Sequence, residues 1–475
     1  MMKREGDIRP EEKNRFWNFI DTIEGDKVVW IIVFMLTMIS ALAIFSSTSQ
    51  LTGASTDRVD LIKQHTLVIL GGYALIFLLY KVKRIGWFRV ISQLGFLFTF
   101  IMLLILDTHA NLGFIKAQYI NHAWRTLSLF GLQIHVFEFA KVAMVMYLAW
   151  ALNALRADQE SIAEKGKSST FFIANMLART KTFSFMAKPF WKRAFYMYIP
   201  MLTVCAMALP GSNSSAIFLG IVMLATLMIG GIPFKEIFLG VVIVATMIGG
   251  AVGLYHISDG KVFGGTRIET LIKRFGADYS VEQLHTLKEK STEWYKTRDA
   301  IKQPYTARIA IHEGGLLGKG SGNSTQKHVV THIYSDYMFS FIVEEYGLVG
   351  AIIVIILFVS LLARGSMIAR LCNNEFAQIA VGGLTLMITG QAFMHIFVNV
   401  GIGPMTGQTL PLISDGSFAF LMFCIAFGII LSISKIARNQ IREEEEAAAP
   451  LYENKDDIQV AMDVLDEIDR DLDNV

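Results

Sequence analysis

Cysteine is scarce in this chain. Cys205, Cys372 and Cys424 are the only three in 475 residues, widely spaced and mostly in or near apolar segments. That pattern excludes a disulfide framework and a zinc site of regular spacing. Charge is also low, at 18% of residues, and the net charge is +2. The basic residues gather into no stripe of the kind that binds nucleic acid. The first residues, Met1 to Lys27, are charged and have neither the apolar core nor the small-residue cleavage site of a signal peptide. The first apolar block is therefore expected to stay as an anchor. No internal repeat is evident, and nothing reads as an inverted pair of broken helices.

What is abundant is apolar sequence: 53% of residues are hydrophobic. They come in long blocks, not amphipathic stripes, and such blocks specify membrane helices. The expected fold is an all-α integral membrane protein with ten transmembrane helices. The spans are Val28–Phe45, His65–Tyr80, Trp87–Leu106, Val136–Leu155, Arg193–Leu209, Ser215–Ile232, Phe234–Tyr255, Tyr337–Leu362, Phe376–Gly403 and Ser417–Ile436. Residues 1–27 form an N-terminal arm, and residues 28–436 form the membrane core. A long extracytoplasmic loop, about 256–336, lies between spans seven and eight. Residues 437–475 read as an acidic, disordered cytoplasmic tail, because Glu443-Glu444-Glu445-Glu446 and the acidic stretch to Val475 cannot build a core.

Lys and Arg set the orientation. The N-terminal arm, the second and fourth loops and the end of the last span are rich in them. The alternating short loops are poorer, carrying Arg58 and Lys63, then Lys116 and Arg125, then none in Pro210–Ser214. Both termini are then cytoplasmic, and the seventh loop faces outward.

Asp336 stands where that loop meets the eighth span, in Ser335-Asp336-Tyr337-Met338-Phe339. A carboxylate at the lip of an apolar span is costly, and such positions are functional candidates. The run Gly314-Gly315-Leu316-Leu317-Gly318-Lys319-Gly320-Ser321-Gly322 is too glycine-rich for a helix interior. It reads as a shaped loop leading to that aspartate. Glu138 and Lys141 are three apart, so they share a helix face and can pair, and Arg125 lies just before them. Pro210–Ser215 is a polar turn on the outer side. Pro404–Ser417 is a proline- and glycine-rich path that must be buried in protein or line a wet cavity. These outer features are expected to converge near Asp336. His312, His328 and His332 precede it, but the glycines and Val329-Val330-Thr331 argue against the helix that His328 and His332 would need to share a metal. A divalent cation, Mg or Mn, held by Asp336 together with a substrate diphosphate fits better.

Motifs in order resemble the SEDS proteins, the FtsW/RodA/SpoVE family, over Asp26 to about Ile436. They are Phe45-Ser46-Ser47-Thr48; Arg125; Glu138-Phe139-Ala140-Lys141; Gly322-Asn323-Ser324 with Gln326-Lys327; Ser335-Asp336-Tyr337 with Glu344-Glu345-Tyr346-Gly347; Gln391-Ala392; and Pro404, Gly407, Leu410-Pro411 and Ser414. The Gly322–Lys327 segment looks like the FtsW branch. The chain departs from the family at Pro210-Gly211-Ser212-Asn213, where the family's Pro-Asp-x-Gly lacks its aspartate. It departs again at Thr331-His332, at His135-Val136-Phe137 and at Ser414-Asp415-Gly416-Ser417.

The resemblance implies a peptidoglycan glycosyltransferase acting in cell division at the outer face of the cytoplasmic membrane. It would polymerise lipid II into a nascent glycan strand, with Asp336 as general base and no organic cofactor. Arg125, Glu138, Lys141, Asn323, Ser324, Gln326, Lys327, Gln391, Pro404 and Ser414 would bind substrate or line the cavity. The implied partners are a class B penicillin-binding protein, which is a monofunctional transpeptidase, and other divisome proteins at the septum. Two other readings remain: a lipid II flippase, and a non-catalytic scaffold that recruits the transpeptidase.

Overall fold

The computed structural model describes residues 24–47, 58–120, 123–165, 171–258, 281–287, 289, 291–330, 333–403 and 406–448. In chain order the helices are α1 (Lys27–Ser47), α2 (Arg58–Tyr80), α3 (Ile85–Asp107), α4 (Val136–Lys165), α5 (Phe172–Ala178), α6 (Pro189–Arg193), α7 (Ile199–Ala208), α8 (Asn213–Ile229), α9 (Phe234–Ile257), α10 (Val281–Thr286), α11 (Thr292–Gly314), α12 (Met338–Leu371), α13 (Glu375–Asn399) and α14 (Ser417–Ala448). Each of the ten apolar blocks is helical. Among the described residues seven helices, α1 to α4 and α12 to α14, are long and apolar enough to cross a membrane.

The last helix does not stop at Ile436 but runs to Ala448, so the first part of the expected tail is helical. Its sequence explains this: Arg442 and Glu446 pair one turn apart at 3.6 Å, and Glu and Ala are strong helix formers. Residues 449–475, like the N-terminal arm up to residue 23, lie outside the described residues.

The connection between α3 and α4 adds an element that apolar blocks do not predict. It folds as a three-stranded antiparallel sheet, β1 (Ile115–Ile120), β2 (Ala123–Leu129) and β3 (Leu132–His135), in the order β1-β2-β3. Short runs that alternate apolar and polar side chains, as in Ile115-Lys116-Ala117-Gln118-Tyr119, suit a half-buried strand.

Helix α13 sits at the centre, packed against α4, α8, α12 and α14. Small residues allow this closeness. A Cβ at Gly365 of α12 would lie 2.3 Å from Thr385, and one at Gly383 would lie 2.7 Å from Val145 of α4. A π-turn, Ala194–Tyr198, joins α6 to α7. Pro200 has no N–H for the carbonyl of Tyr196, and Tyr147 donates its hydroxyl there instead at 2.9 Å.

Helix α12 is broken near its start. Gly347 has φ +66° and ψ −166°. An unbroken helix would pair Leu348 N–H with the Glu344 carbonyl and Val349 N–H with the Glu345 carbonyl. Here Leu348 and Val349 donate to Gly315 and Leu316 at 3.0 and 3.3 Å, while Lys319 and Gly320 donate to the Glu344 and Glu345 carbonyls at 2.9 Å each. The glycine-rich loop therefore takes over the hydrogen bonds that the break frees. This satisfies the rule that non-helical backbone at membrane depth must find partners in protein.

The exchange requires backbones in direct contact. A Cβ at Gly314 would lie 2.1 Å from the Val343 carbonyl oxygen. One at Gly318 would lie 2.2 Å from that of Glu345, and one at Gly347 would lie 2.3 Å from that of Leu316. Gly318→Ala is expected to destabilise the protein by about 3 kcal/mol or more, through lost contact and through strain at positive φ. Gly240→Ala, where a Cβ meets nothing within 4 Å, should be neutral. Thermal melting of the two variants in detergent checks this, and equal melting temperatures would refute the exchange.

Candidate functional site

Asp336 immediately precedes the first turn of α12, whose leading N–H groups need partners from outside the helix. Its N-cap, Tyr337, supplies no side-chain bond. Helix α13 supplies them instead. His395 Nε2 accepts from Phe339 N–H at 3.3 Å, and Asn399 Oδ1 accepts from Ser340 N–H at 3.0 Å and from Ser340 Oγ at 2.8 Å. Asn399 Nδ2 donates to the Asp336 carbonyl at 3.2 Å. His395 Nδ1 donates to the Gln408 carbonyl at 2.7 Å. With one nitrogen accepting and the other donating, His395 is held as the neutral Nδ1–H tautomer.

The half-buried Asp336 carboxylate accepts from Ser335 Oγ at 2.7 Å. Its other oxygen faces Gly407, where a Cβ would lie 3.7 Å away. Asp336, Tyr337, His395, Val398, Thr406, Gly407 and Gln408 line a small pocket. Ser414 fixes the last outer loop to this place: its hydroxyl donates to the Ser335 carbonyl at 2.8 Å and accepts from Leu410 N–H at 2.9 Å. Between them Leu412 is buried with φ +58°, a strained conformation for a branched residue. Asp415 N–H donates to the Tyr334 carbonyl at 2.9 Å. Burial pushes the Asp415 carboxyl up from its usual range. Burial, together with the carboxylates of Asp415 and Asp336, raises the Tyr334 hydroxyl.

The Glu138–Lys141 pair exists, at 2.7 Å, and it extends toward the pocket. Lys141 is fully buried, and its ammonium also donates to Gln391 Oε1 at 2.6 Å and Gln408 Oε1 at 3.2 Å. Gln391 Nε2 donates to the Thr409 carbonyl at 3.0 Å, and Gln408 Nε2 to Ser215 Oγ at 3.0 Å. With its three donors directed this way, Lys141 reaches the pocket through Gln408. Arg125, on β2, donates to the Gly211 carbonyl at 3.1 Å. Burial lowers the His135 imidazole, opposed by the Glu138 carboxylate and reinforced by the Arg125 guanidinium. Ser214 Oγ donates to the Thr406 carbonyl at 2.7 Å. The Pro210–Ser215 turn, the 406–417 loop and Asp336 thus meet. Pro404 lies outside the described residues.

The other expected site residues are placed differently. Ser324, Gln326 and Lys327 hold the glycine loop onto Glu344 and Glu345. Glu344 accepts from Ser324 Oγ at 2.5 Å, Thr325 N–H at 2.8 Å, Gln326 N–H at 3.2 Å and Lys319 Nζ at 2.7 Å. Glu345 accepts from Ser46 Oγ at 2.6 Å and Gly322 N–H at 3.0 Å. Lys327 Nζ donates to the Gly322 carbonyl at 2.7 Å, Gln326 Nε2 to Glu313 at 3.3 Å, and Asn323 Nδ2 to the Lys319 carbonyl at 3.0 Å. His395, Asn399 and Gln408 were not singled out from sequence. Their signal was present: Gln391, His395 and Asn399 recur every fourth residue in an apolar helix, a polar stripe on one face.

The fold and site define a multi-pass helical membrane protein with a carboxylate clamped at the lip of a spanning helix. The chain belongs to the FtsW/RodA/SpoVE family of cell cycle proteins, whose model matches residues 26–439. A probable peptidoglycan glycosyltransferase FtsW of Hahella chejuensis is 36% identical over 158 residues, 32% of this chain and 40% of that one. The match thus covers less than half of that relative's length. The Enterococcus hirae protein of the same name is 25% identical over 450 residues, 90% of this chain and 97% of its own. Among solved structures, a chain from work on structural coordination of polymerization and crosslinking by a peptidoglycan synthase complex aligns with a TM-score of 0.59 at 20% identity, over 87% of this chain and 98% of that chain.

The buried ion pair gives a test. Glu138→Gln leaves the Lys141 charge buried without its partner and is expected to destabilise on the order of 3 kcal/mol. Adding Lys141→Met should recover much of that loss. A double-mutant cycle by thermal melting measures the coupling, and additive losses would mean the pair is not coupled as described.

Proposed function

We propose that this chain is a peptidoglycan glycosyltransferase that polymerises lipid II, with Asp336 as general base. The observation that carries the reading is the Asp336 carboxylate, half-buried in a pocket whose walls are fixed by α13 and the 406–417 loop. Family membership and the names of the relatives support the same chemistry.

In the reaction the acceptor sugar hydroxyl attacks the anomeric carbon of the donor. The new glycosidic C–O bond forms as the bond to undecaprenyl diphosphate breaks. The hydroxyl proton passes to the Asp336 carboxylate, and inversion at the anomeric carbon is expected. A carboxylate in a partly apolar site suits that task. Both substrates are lipid-anchored, so a site at the membrane lip brings them together with little loss of freedom. Of Arg125, Lys141 and Lys327, Arg125 is part-exposed while the two lysines are buried, and it would be the one to meet the leaving diphosphate.

Asp336 is the carboxylate at the pocket, and an ion of the Mg or Mn kind is commonly held by one carboxylate together with substrate phosphates. Such an ion would bind through Asp336 and the substrate diphosphate and neutralise the leaving group.

The enzyme would have ten membrane crossings, both termini in the cytoplasm and Asp336 at the outer face of the cytoplasmic membrane. It would work at the septum with a class B penicillin-binding protein.

Polymerisation of purified lipid II, with and without the transpeptidase and divalent cation, tests the proposal. The wild type should make long glycan strands. Asp336→Asn, folded by thermal melting, should lose about 10²–10⁴-fold of that activity. Strand synthesis by the variant at the wild-type rate would move the base elsewhere. No strands from the wild type under any of these conditions would favour a flippase or a scaffold.

A further inference from the structure

The distal end of the β-sheet carries an apolar tip that the chemistry does not use. Ile115, Leu129 and Leu132 are paired across the three strands. The residues just before β1 and those of the β2–β3 turn therefore emerge at the same end. There Leu112 is 53% exposed, Phe114 55%, Phe130 81% and Leu132 73%. The Phe114 and Phe130 rings are stacked 5.9 Å apart, and Phe130 N–H donates to the Phe114 carbonyl at 3.2 Å.

The turn itself is unusual. Phe130 and Gly131 both have positive φ, +49° and +87°. Two-residue turns of this kind favour Asn, Asp or Gly at the first position, because a bulky side chain is strained there. The sequence thus places phenylalanine on strained backbone and leaves its ring outside the protein. Within the chain the ring meets Phe114, which is itself exposed.

The opposite end of the sheet is anchored over the site, where Ala123 and Leu127 are buried and Arg125 bonds Gly211. The tip therefore points away from the bundle. It follows shortly after α3, whose outward face, Leu97, Ile101 and Leu104 among others, is exposed and apolar as a lipid-facing surface must be.

We infer that this tip inserts into the bilayer leaflet on the Asp336 side and pins the sheet that carries Arg125 at headgroup level. The occupant is lipid, because the tip follows within a few residues of the end of α3, whose outward face is apolar and exposed. It offers only hydrocarbon, and the exposed Lys116 beside it is placed to meet anionic headgroups. This inference does not depend on the polymerase reading.

The test uses the full chain with Cys205, Cys372 and Cys424 replaced by Ala, and with a nitroxide on Phe130→Cys. It is reconstituted in phosphatidylethanolamine–phosphatidylglycerol vesicles. Power saturation then compares collisions with oxygen, which concentrates in lipid, and with a water-soluble nickel chelate. The label at 130 should favour oxygen over the chelate several-fold more than one on Lys116→Cys. Leu132→Cys reports the same tip if Phe130→Cys does not fold. Chelate access equal to that of a label in water would overturn the inference. So would shielding from both reagents, which would mean that protein covers the tip. Water access that is lost only when the transpeptidase is added would also overturn it, assigning the tip to that partner.

Discussion

Backbone hydrogen bonding inside a membrane is the constraint on which the site depends. A spanning helix cannot simply stop at Gly347, because the carbonyls of Glu344 and Glu345 and the amides of Leu348 and Val349 would be left without water or partner. The glycine loop fills that role one bond at a time. At the other end of the short segment Met338–Tyr346, His395 and Asn399 take the amides that the helix start leaves open. The segment is thus clamped at both ends, and Asp336 is attached directly to its start. The carboxylate is placed chiefly through the clamped segment that follows it, and the adjacent Ser335 hydroxyl is its own hydrogen-bond donor.

The carboxylates near this segment divide into two kinds for the same reason. Glu344 and Glu345 are fully buried; both oxygens of Glu344 and Oε1 of Glu345 accept from N–H and O–H donors of the loop and of Ser46, while Oε2 of Glu345 has no hydrogen-bond partner among the described residues. A buried charge is tolerable when it is bonded as Glu344 is, and with both oxygens engaged Glu344 has little capacity left for a substrate. Asp336 accepts from the adjacent Ser335 hydroxyl and opens onto a pocket. The loop residues Ser324, Gln326 and Lys327 matter to this arrangement through the fold, since their bonds hold the loop that closes the helix break.

Much of the fold could be read from the sequence, because apolar block length is a physical requirement of the bilayer. Asp336 could be found because an ionisable group at a membrane lip is rare, and the meeting of the Pro210–Ser215 and 406–417 segments near it followed from their polarity. Three things were hidden. The sheet after α3 consists of runs too short to stand out beside long helices. The break at Gly347 sits inside a stretch that reads as one continuous span, and glycine is common in membrane helices. Which donors serve Glu344 and Glu345 is a question of tertiary pairing between segments, as is the use of Gln408 to connect Lys141 with the pocket. No single-chain periodicity encodes that pairing.

The polar groups around Asp336 are arranged so that most of them are neutral or paired. His395 is held as a neutral imidazole by having one nitrogen donate and the other accept. Lys141 is balanced by Glu138, and its influence passes through the amide of Gln408. The Lys141 bonds fix the 406–417 loop against α4 and α13, with the cation one amide away from the pocket. The network therefore supplies rigidity to the pocket while holding the Lys141 charge one amide away from it.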